Sequence, residues 1–294
     1  MTDAVLLLAY GSPARPEDVE AYYTDIRRGR PPAPEQLADL RRRYDAIGGV
    51  SPLAARTEAQ RVALQHALGD DIPVVLGFKH VAPFIEDAVA AIDADRILTL
   101  VLAPHYSALS VGEYVERACA AAGGRTVVSI RSWATLPAYV EFLTAAVLVA
   151  LAAMPEGTKV LFTAHSLPAR VESIGDPYVD ELRATATAVA ERAGLEPWAQ
   201  WATAFQSAGR TPEPWLGPDV LTVIDDLAGT RRGTGVLVCP CGFVSDHLEV
   251  LYDLDIEARA EAERRGLAFA RTPVMNDDAT VITALADLVR DALS

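Results

Sequence analysis

A chain of 294 residues, 51% apolar and 22% charged, has ordinary globular composition, with enough material for one large core or two similar halves. Its formal net charge of −14 opposes binding to nucleic acid. No apolar run approaches the ~20 residues of a membrane helix, so no stable membrane anchor is expected.

The N-terminus enters a strand-like run without the basic, apolar and small-residue regions of a secretory leader, which predicts a cytoplasmic protein. Short β-branched or Leu-rich runs then alternate with amphipathic segments. In chain order the pattern predicts strand 4–9, helices 16–28, 34–46 and 55–68, strand 72–78, helix 83–92, strand 97–103, helix 111–122 and strand 126–130. It continues with helix 137–154, strand 159–164, helix 178–193, strand 201–205, helix 218–227, strand 235–240, helix 244–265, strand 267–271 and helix 277–293. Several helices open on Pro, whose missing N–H costs nothing at the first helical position. Strands that are apolar throughout suit parallel sheets covered on both faces, so the fold class is doubly wound α/β. A boundary near residues 133–137 divides the chain into parts 1–133 and 134–294.

In such sheets ligands bind beyond the carboxyl ends of the strands. Those ends carry Tyr10-Gly11-Ser12-Pro13, Lys79-His80, His105-Tyr106-Ser107, His165-Ser166-Leu167-Pro168 and Gln206-Ser207. Six arginines, Arg27, Arg28, Arg30, Arg41, Arg42 and Arg43, form a basic stretch in an acidic protein. They are either a solvated face or a site for a multiply carboxylated or phosphorylated small molecule, which guanidinium forks suit. In a helix, Glu249, Asp253 and Glu257 would project from one face. That row is either solvated or, because Val250 and Leu251 flank it, partly buried and able to receive protons or relay a hard cation. An imidazole facing the row would complete a site, and His165 is the candidate, while structural roles are favoured for His80, His105 and His247. Cys239-Pro240-Cys241 lacks a second cysteine pair and is read as core more readily than as metal ligands. Gly48-Gly49-Val50-Ser51-Pro52 has no Walker lysine but could line a carboxylate through the Ser51 hydroxyl.

Seven segments in order, LLAYGSP (7–13), YYTDIRRGRPPAPEQLADLRRRYDAIGGVSPLA (22–54), GFKHVAPFIEDAV (77–89), LAPHYSALSVGEY (102–114), TAHSLPARVESIGDPY (163–178), QSAGRTPEPWLGPDV (206–220) and GFVSDHLEVLYDLDIE (242–257), resemble the ferrochelatase family. The match is to its short Gram-positive-type members, which act on coproporphyrin III. The resemblance implies two Rossmann-like domains, each a parallel sheet flanked by helices, with a porphyrin cleft between them and the last helix packing back on the N-terminal domain. It implies insertion of ferrous iron, as substrate, into coproporphyrin III, with His165 and Glu249 facing the pyrrole nitrogens and Tyr10 on the opposite face. Arg27, Arg28, Arg43, Ser51 and Tyr114 would anchor propionates, Lys79 and His80 would line the cleft, and Trp215 would border it. Asp253 and Glu257 would continue the acid row as a metal path or an outer divalent-metal site. Whether His165 accepts a proton or ligates the metal stays open. Protoporphyrin IX, with two propionates rather than four, is the rival substrate, and a porphyrin carrier the non-enzymatic rival. Cys119, Cys239 and Cys241 are too few for the [2Fe–2S] cluster of some relatives, so none is expected. A monomer in transient contact with the next haem-pathway enzyme completes the expectation.

Overall fold

A computed structural model describes residues 2–197, 199–209 and 211–294. The first half runs β1 (Asp3–Ala9), α1 (Val19–Ile26), α2 (Pro34–Ala46), α3 (Leu53–Leu68), β2 (Val74–Phe78), α4 (Ile85–Ala91), β3 (Arg96–Val101), α5 (Glu113–Ala121) and β4 (Thr126–Ile130). The second runs α6 (Pro137–Ala152), β5 (Lys159–His165), α7 (Arg170–Ser173), α8 (Tyr178–Ala193), β6 (Trp201–Gln206), α9 (Val220–Thr230), β7 (Gly235–Cys239), α10 (Arg259–Arg264), β8 (Ala268–Arg271) and α11 (Ala279–Leu293). π-helical turns, Ala108–Gly112 and Val250–Ala258, lead into α5 and α10. Among the described residues no helix is long and apolar enough to cross a membrane.

Each half is a four-stranded sheet with the same topology, β2-β1-β3-β4 and β6-β5-β7-β8, and every pairing is parallel. Strand alternation explains the layering. On β1, Val5 and Leu7 face a central core while Ala4, Leu6 and Leu8 face an outer one. On β7, Leu237 and Cys239 point to the same central core, and Val236 and Val238 to a second outer layer. The central core therefore lies between the two sheets, filled by residues of α3, α6, α8 and α11. The helix α11 packs on α3, β3 and β4 of the first half as well as on α6. Arg96 Nη2 donates to Leu293 O at 2.5 Å across the same contact.

Two local departures from the pattern read in the sequence bear on the site. The expected helix 244–265 begins only at Leu248 and is π-wound from Val250 to Ala258. Its first residues are held out of the helix: Gln60 Nε2 donates to Val244 O at 3.1 Å, Ser245 Oγ to Gln60 Oε1 at 3.0 Å, and Asp246 N–H to Asn276 Oδ1 at 3.0 Å. The short α7, absent from the expected elements, lies between His165 and α8.

Candidate active site

In both sheets the strand order reverses at the first strand, between β1 and β3 and between β5 and β7, and the chain ends that follow these strands open onto one cleft of about 790 Å³. That is where an open parallel sheet offers a crevice, and the volume is in the range of ligand pockets. Glycines let the chain reach it. Gly11, at φ +86°, turns the backbone after Tyr10, and a Cβ there would lie 2.5 Å from Val81 Cγ2. Gly242 lies so close to β5 that a Cβ would meet Ala164 Cβ at 2.5 Å, and its N–H donates to Thr163 O at 2.9 Å. This close approach brings residues 243–249 beside His165.

His165 Nε2 lies 3.4 Å from Glu249 Oε1. Its Nδ1 is bonded to Ser166 O, which can only accept, so Nδ1 carries a hydrogen and Nε2 is the atom turned to the carboxylate. Tyr178 OH donates to His165 O at 2.8 Å and fixes the backbone. Glu249 meets a second imidazole, His247 Nε2, at 3.4 Å from Oε2. The backbone behind Glu249 is held by Gln206, whose Nε2 donates to Glu249 O at 3.3 Å and whose Oε1 accepts from Thr163 at 2.9 Å. His165 and Glu249 lie deep in the protein yet keep 35% and 36% of their side chains open to the cleft, so an occupant can touch both.

Burial alone would lower the His165 pKa, but the charge and hydrogen bond of Glu249 outweigh it and raise the value to about 9. Burial would likewise raise Glu249, and the imidazolium of His165, with His247 on the other oxygen, instead holds it well below the ordinary carboxylate range. At neutral pH the pair is therefore an ion pair.

The acid row continues along the π-helix. Asp253 is 7% exposed, accepts from Ser207 Oγ, and lies 3.1 Å from Arg43 Nη1. Ser207 adopts φ 61°, a left-handed backbone uncommon for serine, while it makes that bond. Burial and the nearby Glu249 charge push Asp253 up to about 6, against the lowering effect of Ser207 and Arg43. Glu257 Oε1 is 3.9 Å from Arg43 Nη2. Among the described residues no three His, Cys, Asp or Glu side chains converge as a metal cage. Cys239 and Cys241 are buried, Cys119 is exposed, and none of them lines the cleft.

The cleft collects Tyr10, Arg43, Ser51, Lys79, Tyr114, His165, Trp215, Glu249, Asp253 and Glu257 from both halves. Tyr10 is 42% exposed, and its ring lies 4.5 Å from that of His80. Trp215 is seated over Gly209, where a Cβ would come within 2.2 Å of Cζ2. Ser51 Oγ accepts from Leu53 N–H at 3.2 Å at the start of α3. Arg28 and His80 line an adjoining pocket that shares Tyr10, Ile26, Lys79 and Glu113 with the cleft, and His80 Nδ1 pairs with Asp25 at 2.7 Å. Arg27 lines neither. Arg43 faces the acid row, since Asp39 and Asp253 take up its fork. Sequence reasoning favours a structural role for His247 and marks Gln206-Ser207 only as a strand end; it misses His247 as a partner of Glu249, Ser207 as the bond donor to Asp253 and Gln206 as the brace behind Glu249. His247 carries a signal in its place two residues before Glu249.

Two parallel α/β halves around one cleft are the fold that this chain shares with solved chelatases. Over 99% of this chain the structure is similar to CbiX, the terminal enzyme for siroheme biosynthesis in denitrifying bacteria (TM-score 0.59, 16% identity, 100% of that chain), and to SirB from Bacillus subtilis with Fe3+ (TM-score 0.56, 14% identity, 96% of that chain). The chain belongs to the ferrochelatase family, which matches residues 2–293, and is a metal chelatase whose substrate ion is ferrous iron. It is 44% identical to the coproporphyrin III ferrochelatase of Geobacillus kaustophilus, over 98% of this chain and 95% of that one. To the enzyme of the same name from Bacillus subtilis it is 43% identical, over 97% and 96%.

Proposed function

We propose that the protein inserts Fe2+ into coproporphyrin III, with His165 and Glu249 acting on the pyrrole nitrogens. The observation that carries this is the His165–Glu249 pair at 3.4 Å, open to a two-walled cleft, in a chain so similar to coproporphyrin III ferrochelatases. Insertion has to remove two pyrrole protons and replace the ion's water. With Nδ1–H tied to Ser166 O, His165 Nε2 is the atom that exchanges protons. A macrocycle laid over the pair removes water and disfavours its charges, so the imidazolium proton passes to Glu249 and from there along the acid row to solvent; Nε2 then accepts the two pyrrole protons in turn, handing the first on by the same route before it takes the second. The His247 imidazole holds the other Glu249 oxygen and keeps that carboxylate aimed.

On this reading Tyr10 faces the opposite side of the ring, Trp215 borders it, Lys79 and His80 line the cleft, and Ser51, Tyr114 and Arg28 receive propionates. Arg43 could anchor a propionate only by giving up one of its acids, so its first role is to neutralise the row of Asp253 and Glu257 along which iron arrives. Anaerobic incubation with Fe2+ and either coproporphyrin III or protoporphyrin IX, read by the Soret shift, tests the proposal. Coproporphyrin III should be metallated faster. Binding without metallation would indicate a carrier, and preference for protoporphyrin IX the dicarboxylate reaction. His165→Ala should bind the porphyrin and fail to metallate it.

A further inference from the structure

Of the six arginines between residues 27 and 43, three are neutralised within the protein. Arg41 pairs with Glu20 at 3.3 Å, Arg42 with Asp39, and Arg43 with Asp39 and Asp253. The other three belong to one tight turn at the end of α1. Arg28, at φ 58°, and Gly29, at φ 81°, take left-handed backbone, and Gly29 N–H closes the turn on Thr24 O at 2.9 Å. Across the turn two side chains are held reciprocally: Arg27 Nε donates to Arg30 O at 3.2 Å, and Arg30 Nε to Arg27 O at 3.3 Å. Each guanidinium thus spends its inner N–H on the backbone and keeps both Nη groups for something outside. No carboxylate is bonded to either among the described residues, and Arg28, 86% exposed, has only Glu113 at 4.0 Å.

The turn stands at the mouth of the cleft. Arg27 Cζ lies 5.7 Å from the centroid of the Tyr23 ring, Tyr23 and Ile26 line the cleft, and Arg28 lines the pocket beside it. These positive charges sit on a protein of net charge −14, whose overall field repels any anionic ligand. A tetrapyrrole with four carboxylates would meet that repulsion in full unless the field at the entrance has the opposite sign.

We propose that Arg30, on the turn that also carries Arg27 and Arg28, is an electrostatic capture point at the cleft mouth that speeds the entry of multiply carboxylated tetrapyrroles. It rests on reading the cleft as a porphyrin site, and adds that Arg30, which touches neither cavity, governs association. Because Arg30 is exposed and lines neither cavity, it acts on the rate of arrival more than on the final complex. The attraction scales with ligand charge, so it favours a tetracarboxylate over a dicarboxylate before either reaches the wall of the cleft.

Stopped-flow fluorescence of metal-free coproporphyrin III with the full chain and its Arg30→Glu and Arg30→Lys variants tests this. At an ionic strength near 0.01 M, where screening reaches about 30 Å, Arg30→Glu should lower the association rate constant about tenfold and leave dissociation nearly unaltered. The loss should shrink to about twofold at 0.15 M, and to about threefold at low salt for a dicarboxylate porphyrin. Arg30→Lys keeps the charge and should associate like the parent. Equal losses in Glu and Lys variants, or a change confined to dissociation, would overturn capture by the field. Association rates indifferent to the charge at residue 30 would remove the capture role alone. Failure of the parent protein to bind coproporphyrin III at any salt concentration would remove the porphyrin reading and the capture site with it.

Discussion

Asp253 offers the sharpest test of the site's electrostatics, because its position costs stability. It is 7% exposed, and burial with the Glu249 charge raises its pKa from 3.8 to about 6. The folded protein therefore holds a proton on Asp253 that the unfolded chain releases between these values. Stability attributable to this group falls as pH rises through that window, and the penalty is complete above the folded value. A shift of about two units at 1.36 kcal/mol each corresponds to about 3 kcal/mol. Asn cannot ionise, so Asp253→Asn should escape the penalty. Its amide oxygen can still accept from Arg43 Nη1, and the lost charge attraction to Arg43 is already contained in the net shift. Urea unfolding of both proteins from pH 4 to pH 8 gives the stability difference at each point. The variant should gain about 2.5 kcal/mol relative to the parent on going from pH 4 to pH 8, mostly below pH 7, the rest of the penalty having accrued below pH 4. A difference that stays flat would refute the desolvation argument. One that slopes the other way would mean that Arg43 dominates and that the carboxylate is stabilised as an anion.

The His165 ring should titrate near pH 9 by NMR in the parent and below its ordinary value in Glu249→Gln, because burial then acts without the opposing carboxylate; an unmoved titration would dismiss the ion pair. Gly209→Ala places a methyl group where Trp215 Cζ2 lies 2.2 Å away, so the indole must leave the cleft wall. Porphyrin affinity should fall about tenfold, and an unchanged Kd with unchanged tryptophan emission would show that Trp215 does not border the ligand. Gln60 is fully buried and bonds Val244 O, Asn276 O and Ser245 Oγ. Gln60→Leu should cost about 3 kcal/mol of unfolding free energy through the stranded polar groups, a figure that a loss below about 1 kcal/mol would contradict.

The parallel sheets were legible because their strands are apolar on both faces, which leaves a continuous run rather than an alternation. The use of that alternation was not legible: Val5 and Leu6 are equally apolar, yet one belongs to the central core and the other to an outer layer. His165 and Glu249 stood out by position, at a strand end and beside an apolar run. The winding after Glu249 did not, because three acids spaced four residues apart fit an α-helix and the wider π-helix alike. Pairings such as Arg43 with Asp253 join residues 210 positions apart, and no local pattern encodes them. For the same reason a charge count could not separate the arginines already neutralised from those left at the cleft mouth.

The placement of α11 has a consequence for biosynthesis. Its Val281, Leu285 and Val289 complete the same apolar layer as Leu64, Leu98 and Ile130, residues that a ribosome adds far earlier. The part of the first sheet's inner face that α11 covers therefore stays open until that helix has been added. A chain stalled before residue 279 would present that unfinished patch to chaperones and proteases.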